Sequence, residues 1–295
     1  MRKGIVIYGE SDMRLYFLSL LLVVLAGCSG GTSKNSSDST AVNQPTANNS
    51  ANSVTTTADA QTVTIDSPDG VKIVGSFWES AKTNSPAVLL LHQWQSDRHS
   101  YDDFAKRLNA KGVNVLSIDG RGFGESVKTA DGKTVEPERT DAAVKGMLGD
   151  VGAAFDFLSK QKNVDPSQAA IVGASYGSSL AIMYAADNPK VKAVALLSPG
   201  LNYFGNMATE PAVRKYGDRD LFVVASKGDT ESAEAAESFE KIGNTRYGFM
   251  ILPVGSLHGT EMFKYRDKAD GPPAVEDALE SFLMTRLGLA KADYK

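Results

Sequence analysis

Ala169-Ala170-Ile171-Val172-Gly173-Ala174-Ser175-Tyr176-Gly177 is the stretch on which the reading of this chain turns. Its first four residues form an apolar run of strand length, and residues 178–186 after it have a helical pattern. A strand that meets a helix across Gly-Ala-Ser-Tyr-Gly is the nucleophile-elbow pattern, in which the serine stands on a sharp turn and the flanking glycines let backbones pass closely. A serine hydroxyl attacks poorly until a base takes its proton. The same turn opens a helix N-terminus beneath Ser175, whose unpaired N–H groups and positive dipole end suit a developing oxyanion. The pentapeptide alone is equally compatible with an ordinary glycine-flanked turn, so the argument needs partners for the serine.

Two candidates follow apolar runs in the same way. Asp229 comes after Leu221-Phe222-Val223-Val224-Ala225, and His258 after Phe249-Met250-Ile251-Leu252, in the loop Gly255-Ser256-Leu257-His258-Gly259. Both are expected on loops at the C-terminal ends of strands, the edge where open α/β sheets bind ligands. The chain has 3 histidines. His92 ends Val88-Leu89-Leu90-Leu91 and is expected to shape the following Gln93-Trp94 loop; His99, between Arg98 and Ser100, reads as a solvated surface residue. That leaves His258 as the candidate base, its position after the last strand favouring this over the plain alternative of a satisfied core histidine. For the acid, Asp220 and Glu261 flank their strands less suitably than Asp229, whose plain alternative is a cap on the helix beginning near Ser232.

Serine, acid, histidine is the chain order of one serine-hydrolase fold and differs from the order in two others. From about residue 62 to 289 the chain resembles the α/β-hydrolase superfamily of serine hydrolases, nearest to its small esterases and dienelactone-hydrolase-like members. Four stretches carry the resemblance: Leu89-Leu90-Leu91-His92 with its loop, Asp119-Gly120-Arg121-Gly122-Phe123-Gly124-Glu125-Ser126, the elbow with its lead-in Val164-Asp165-Pro166, and His258-Gly259. It implies a triad of Ser175, Asp229 and His258, with oxyanion donors at the backbone N–H of Tyr176 and of Trp94 or Gln93. It implies hydrolysis of small or medium carboxylic esters through an acyl-enzyme, with no metal and no cofactor. A serine peptidase or amidase on the same fold, and a tethered binding protein without turnover, are the alternatives. In such relatives the segment 119–126 is a structural turn tied down by its aspartate and arginine; the other reading of Arg121 is that it faces an anionic substrate. The chain departs from the pattern at Gln93, where a glycine usually follows the histidine, and at Ser178, where many relatives have a second glycine.

The N-terminus speaks to location. Arg14 precedes an apolar stretch, 15–24, interrupted by Tyr16 and Ser19, which runs into Leu25-Ala26-Gly27-Cys28. The stretch falls short of the about 20 apolar residues of a membrane span and has the charged front, apolar middle and small-residue end of a secretory signal. This resembles a bacterial lipoprotein signal with its lipobox, which implies cleavage before Cys28, the only cysteine of the chain, and lipidation of its thiol; a free thiol is the alternative. Residues 1–12 fit such a signal poorly, and Met13 is the expected start of translation. Ser29 favours outer-membrane sorting in a source with two membranes, so the expected location is the bacterial cell envelope. Residues 29–60 are dominated by Ser, Thr, Asn, Gly and Ala and cannot bury enough apolar surface to offset their ordering entropy, so they read as a disordered tether.

Residues 61–295 are expected to form one α/β domain. Strands are expected at 62–65, 71–78, 87–91, 113–118, 169–173, 191–197, 221–225 and 249–252, with helices at 101–111, 140–161, 175–186, 231–242 and 274–287. Continuous apolar strands alternating with helices predict an eight-stranded, mostly parallel sheet covered on both faces, the first two strands forming a hairpin across Ser67-Pro68-Asp69-Gly70. The segment 198–220 is too short for a cap domain; Tyr203 and Phe204 within it, and the loop 127–139, are expected at the pocket rim. A net charge of −4 gives no basic patch for nucleic acid. The partners expected are therefore a small ester and, through the anchor, a membrane.

Overall fold

The computed structural model describes residues 59–242, 247–253, 255–265 and 273–290. The expected signal peptide with Cys28, and the tether up to residue 58, lie outside them. The described elements are β1 (Gln61–Asp66), β2 (Val71–Trp78), β3 (Ser85–Leu91), α1 (Asp102–Ala110), β4 (Asn114–Ile118), β5 (Lys128–Thr129), α2 (Asp141–Ser159), β6 (Val164–Ala174), α3 (Tyr176–Asp187), β7 (Val191–Leu197), β8 (Asn202–Tyr203), β9 (Met207–Ala208), α4 (Glu210–Tyr216), β10 (Asp220–Ser226), α5 (Thr230–Ile242), β11 (Tyr247–Leu252) and α6 (Val275–Arg286).

The main sheet runs β1-β2-β4-β3-β6-β7-β10-β11. The β1–β2 and β2–β4 pairs are antiparallel, and every pair from β4 through β11 is parallel. The central strands are buried on both faces, which is why they read as unbroken apolar runs. Period-two alternation divides them between two layers. Leu89, Ile171, Val194 and Val223 pack with apolar residues of α2, α3, α4 and α5, whereas Leu90, Val172, Ala195 and Val224 pack with Phe104 and Leu108 of α1 and Leu279 and Leu283 of α6. Fully burying each of the Leu, Ile and Val side chains among them contributes about 1.5–3 kcal/mol. A polar residue at any of them would be destabilising on either face.

Three features depart from the expectation, each because short elements carry no period. Among the described residues the main sheet holds nine strands rather than eight, since two-residue β5 adds antiparallel to β2. Between β7 and β10 the chain forms the β8–β9 hairpin, turning at Phe204 and Gly205 with φ of 60° and 80°, and then the seven-residue α4; no domain is inserted there. The first helix is entered through a 3₁₀ turn, Arg98–Tyr101, where the Asp97 carboxylate accepts from His99 N at 2.9 Å. The longest helix starts as read: Thr140 Oγ1 caps α2 by accepting from Ala143 N at 3.2 Å.

Candidate active site

Ser175 follows the last residue of β6 and has φ 53° and ψ −123°, a conformation that side chains disfavour and that the surroundings enforce. Its N–H donates to Leu197 O at 2.8 Å, and its carbonyl accepts from Ser178 N at 2.8 Å and Ser178 Oγ at 2.6 Å. Ser178, the departure from the second glycine, thus secures the turn through its hydroxyl. Gly177 allows α3 to begin against the end of β3, because a Cβ there would sit 2.6 Å from both Leu91 O and His92 O. Tyr176 opens α3, so its N–H has no partner within the helix.

Asp229 and His258 stand on the same edge of the sheet, on the loops after β10 and β11. Asp229 Oδ2 and His258 Nδ1 are 2.7 Å apart, and a carboxylate partner places the proton on Nδ1, leaving Nε2 as the free ring nitrogen. Burial pushes the Asp229 carboxyl up. The hydrogen bond from His258, the Ser232 hydroxyl, the His258 charge and Ser198 outweigh it and hold the group below the ordinary carboxylate value.

Neighbouring hydrogen bonds fix where the histidine loop passes. Gly259 N donates to Ser198 Oγ at 2.9 Å, and Thr260 Oγ1 donates to Gln93 Oε1 at 3.0 Å. Ser198 follows β7 and Gln93 lies just past β3, and these are the two strands that flank β6. The segment Gly259-Thr260 therefore bridges across the end of β6, where Ser175 stands; a Cβ on Gly259 would meet Ala174 Cβ at 3.4 Å. His258 precedes that bridge directly. The chain path brings the loops that carry His258, Asp229 and Ser175 to the same edge of the sheet.

The loop after β3 is set by His92, which is 1% exposed. Its Nε2 accepts from Gly120 N at 2.9 Å and its Nδ1 lies 2.7 Å from Gln93 O, so the ring is the neutral Nδ1–H tautomer. Burial holds its pKa below the ordinary value, which suits a shaping role and not a base. Trp94 packs edge-on to Phe123, Tyr176 and Phe204 at centroid distances of 4.8, 5.3 and 4.7 Å. The Arg139 guanidinium covers its outer side, 4.9 Å from the Trp94 ring and 4.8 Å from that of Phe204. The 127–139 loop and the β8–β9 hairpin thus meet over Trp94, where Asn206 Nδ2 also donates to Arg139 O at 2.9 Å. Tyr203 donates its hydroxyl to Ser198 O at 3.0 Å; burial raises its pKa, with the Ser175 and Ser232 hydroxyls nearby opposing the shift.

The alternatives considered in the sequence fall elsewhere. Asp220 begins β10, at the opposite end of that strand from Asp229, and pairs with Arg286 at 3.2 Å. Glu261 is half-exposed and lies 3.5 Å from Lys264. His99 is exposed and meets Asp102 Oδ2 at 2.9 Å. Arg121 pairs with Asp150 and Asp69, each at 2.7 Å, and Asp119 pairs with Arg98 while accepting from Glu125 N at 2.8 Å, so this segment is a braced turn. Sequence reasoning missed Ser198 and Thr260. The signal for Ser198 was present, since it too follows directly on an apolar run of the parallel sheet.

Among the described residues no group of His, Cys, Asp and Glu is arranged to hold a metal, and no helix is long and apolar enough to cross a membrane. Residues 82–218 match the model of a family described as serine aminopeptidase, S33. An uncharacterized protein of Mycobacterium tuberculosis is 31% identical over 138 residues, which span 46% of this chain and 44% of that protein. The chain thus spans less than half the length of that curated relative. A Pyrococcus furiosus esterase superposes with a TM-score of 0.59 at 16% identity, covering 78% of this chain and 92% of the other. A dienelactone hydrolase from Anabaena variabilis gives 0.57 at 17% identity, covering 78% and 99%. The fold is that of the α/β hydrolases.

Proposed function

On this α/β-hydrolase fold, we propose that the protein is a serine hydrolase that cleaves carboxylic esters of small or medium size through an acyl-enzyme. The observation that supports the reading is the path of Gly259-Thr260 across the end of β6, the strand that carries Ser175 in its strained elbow, directly after a His258 bound to Asp229. In this mechanism His258 takes the Ser175 proton as the hydroxyl attacks the ester carbonyl, while Asp229 fixes the tautomer and stabilises the imidazolium. The oxyanion is received by the N–H of Tyr176 at the start of α3 and by that of Trp94 or Gln93. The imidazolium protonates the leaving alkoxide, and water repeats the cycle on the acyl-enzyme. The esterase and dienelactone hydrolase among the similar structures support the ester as substrate.

A second reading is favoured by the family description, that of an aminopeptidase or amidase using the same three residues. Steady-state turnover of p-nitrophenyl butyrate against leucine and alanine p-nitroanilides separates the two. Preferred ester cleavage supports the first reading, preferred anilide cleavage the second, and cleavage of neither refutes both. We further propose that Cys28 carries lipid and tethers the domain to the cell envelope through residues 29–60. Incorporation of an alkynyl palmitate that is lost in Cys28→Ala, with release of the protein from the membrane fraction, tests it; a wild-type protein that takes no label refutes it.

A further inference from the structure

We propose that the Gln93 side chain is a positioning residue, a strap that ties the oxyanion loop to the loop carrying His258. The inference rests on the serine-hydrolase reading above. Gln93 Oε1 lies 3.0 Å from Thr260 Oγ1 and 3.4 Å from Thr260 N. A backbone N–H cannot accept, so the amide oxygen, and not its nitrogen, faces Thr260, and both of its lone pairs are engaged. The main chain of the same residue is held independently, because Gln93 O is bound to the buried ring of His92, whose far nitrogen is fixed by Gly120 N. Gln93 thus transmits a rigid anchor at the end of β3 to Thr260, the second residue after the base.

The strap has a counterpart on the other flank. Ser198 Oγ accepts from Gly259 N and adjoins the Asp229 carboxylate. The histidine loop is therefore hung between two acceptors, one beyond each strand that neighbours β6, with Asp229 steering the ring. A Cβ at Gly259 would sit only 3.1 Å from Gln93 Oε1, so the two loops are already in close contact and a side chain would push them apart. The glycine that usually follows the loop histidine in resembling sequences has no side chain to make this bond. Here the added amide makes the nucleophile-to-base geometry depend on the oxyanion loop, and a displacement of about 1 Å at such a pair is worth on the order of a hundredfold in rate.

The test is a double-mutant cycle on p-nitrophenyl butyrate with Gln93→Leu, Thr260→Val and the pair, plus Gln93→Glu, which keeps an acceptor at the same reach. Thermal melting checks that each variant is folded. The strap predicts that Gln93→Leu lowers kcat by about 10- to 100-fold with KM within threefold of wild type. It predicts that the double variant is no slower than Gln93→Leu, and that Gln93→Glu restores kcat to within about fivefold of wild type. A Gln93→Leu enzyme with wild-type kcat, effects that multiply in the double variant, or a Gln93→Glu enzyme as slow as Gln93→Leu would each overturn it. Should Gln93→Leu not fold, Thr260→Val with Gln93→Glu carries the same comparison. A folded wild-type protein that turns over no ester and no anilide removes the underlying reading, and the strap with it; active wild type with indifferent Gln93 variants removes the strap alone.

Discussion

Adding one methyl group at Gly177 tests the elbow more sharply than any change to its serine. A Cβ there meets Leu91 O and His92 O at 2.6 Å, and contacts under 3.0 Å are essentially never seen, so the two sides must separate by about 0.4 Å or more. Ordinary contact at 3.4 Å would need 0.8 Å. Leu91 closes β3, which is paired on both sides by β4 and β6, so the movement falls on the start of α3. Overpacking of this kind costs about 1–3 kcal/mol. Shifting Ser175 and the Tyr176 N–H by half an ångström or more costs about 10- to 100-fold in kcat/KM. Gly149→Ala is the control: it lies inside α2 and its Cβ meets Pro68 Cδ at an ordinary 3.6 Å. That variant is expected to gain about 0.5–1 kcal/mol from the lost backbone freedom of glycine. Urea denaturation followed by circular dichroism gives the stabilities, and p-nitrophenyl butyrate hydrolysis the rates. A Gly177→Ala protein with wild-type stability and rate would refute the close approach of α3 to β3.

Asp229→Asn is expected to lower kcat by about 10⁴-fold while leaving the melting temperature near wild type, measured by steady-state kinetics and calorimetry. Arg121→Leu leaves the buried Asp150 carboxylate without its cation and is expected to cost about 3–5 kcal/mol in urea denaturation, with no change in preference between neutral and anionic esters. His92 carries a pKa depressed by burial, so the unfolded chain binds its proton first; its contribution therefore falls as pH drops below the ordinary histidine value of 6.5 and toward the lowered folded-state value. Proton–nitrogen correlation spectra should show the His92 ring mostly as the neutral Nδ1–H tautomer at pH 6.5, and a ring that is half-protonated or more there would contradict the lowered value.

How far the sequence could be read depended on the length over which each pattern repeats. The strands of the parallel sheet were visible because both faces are covered, so runs such as Val88-Leu89-Leu90-Leu91 are apolar without interruption. Helices of twelve or more residues, as in α2 and α3, were found to within two residues at their starts. The two-residue strands β5, β8 and β9 and the seven-residue α4 were not, since they are too short to show a period and follow from tertiary contacts. Ser175, Asp229 and His258 could be singled out because each follows a strand of one sheet, which topology alone delivers to one edge. Ser198 follows a strand in the same way, so its place at this edge is legible too, but what Ser198 and Gln93 bind is not, because each depends on a hydrogen bond to the loop that follows β11, and the partner of such a bond leaves no trace in local sequence.

The measurement that bears most directly on the account is intact-mass spectrometry after exposure to a fluorophosphonate, on wild type, Ser175→Ala and His258→Ala. A single adduct mapped to Ser175 in wild type, absent from Ser175→Ala and formed at least about a hundredfold more slowly in His258→Ala, is what the three-residue site predicts. Folded wild-type protein that takes no adduct, or an adduct that forms as fast without the imidazole, would contradict it.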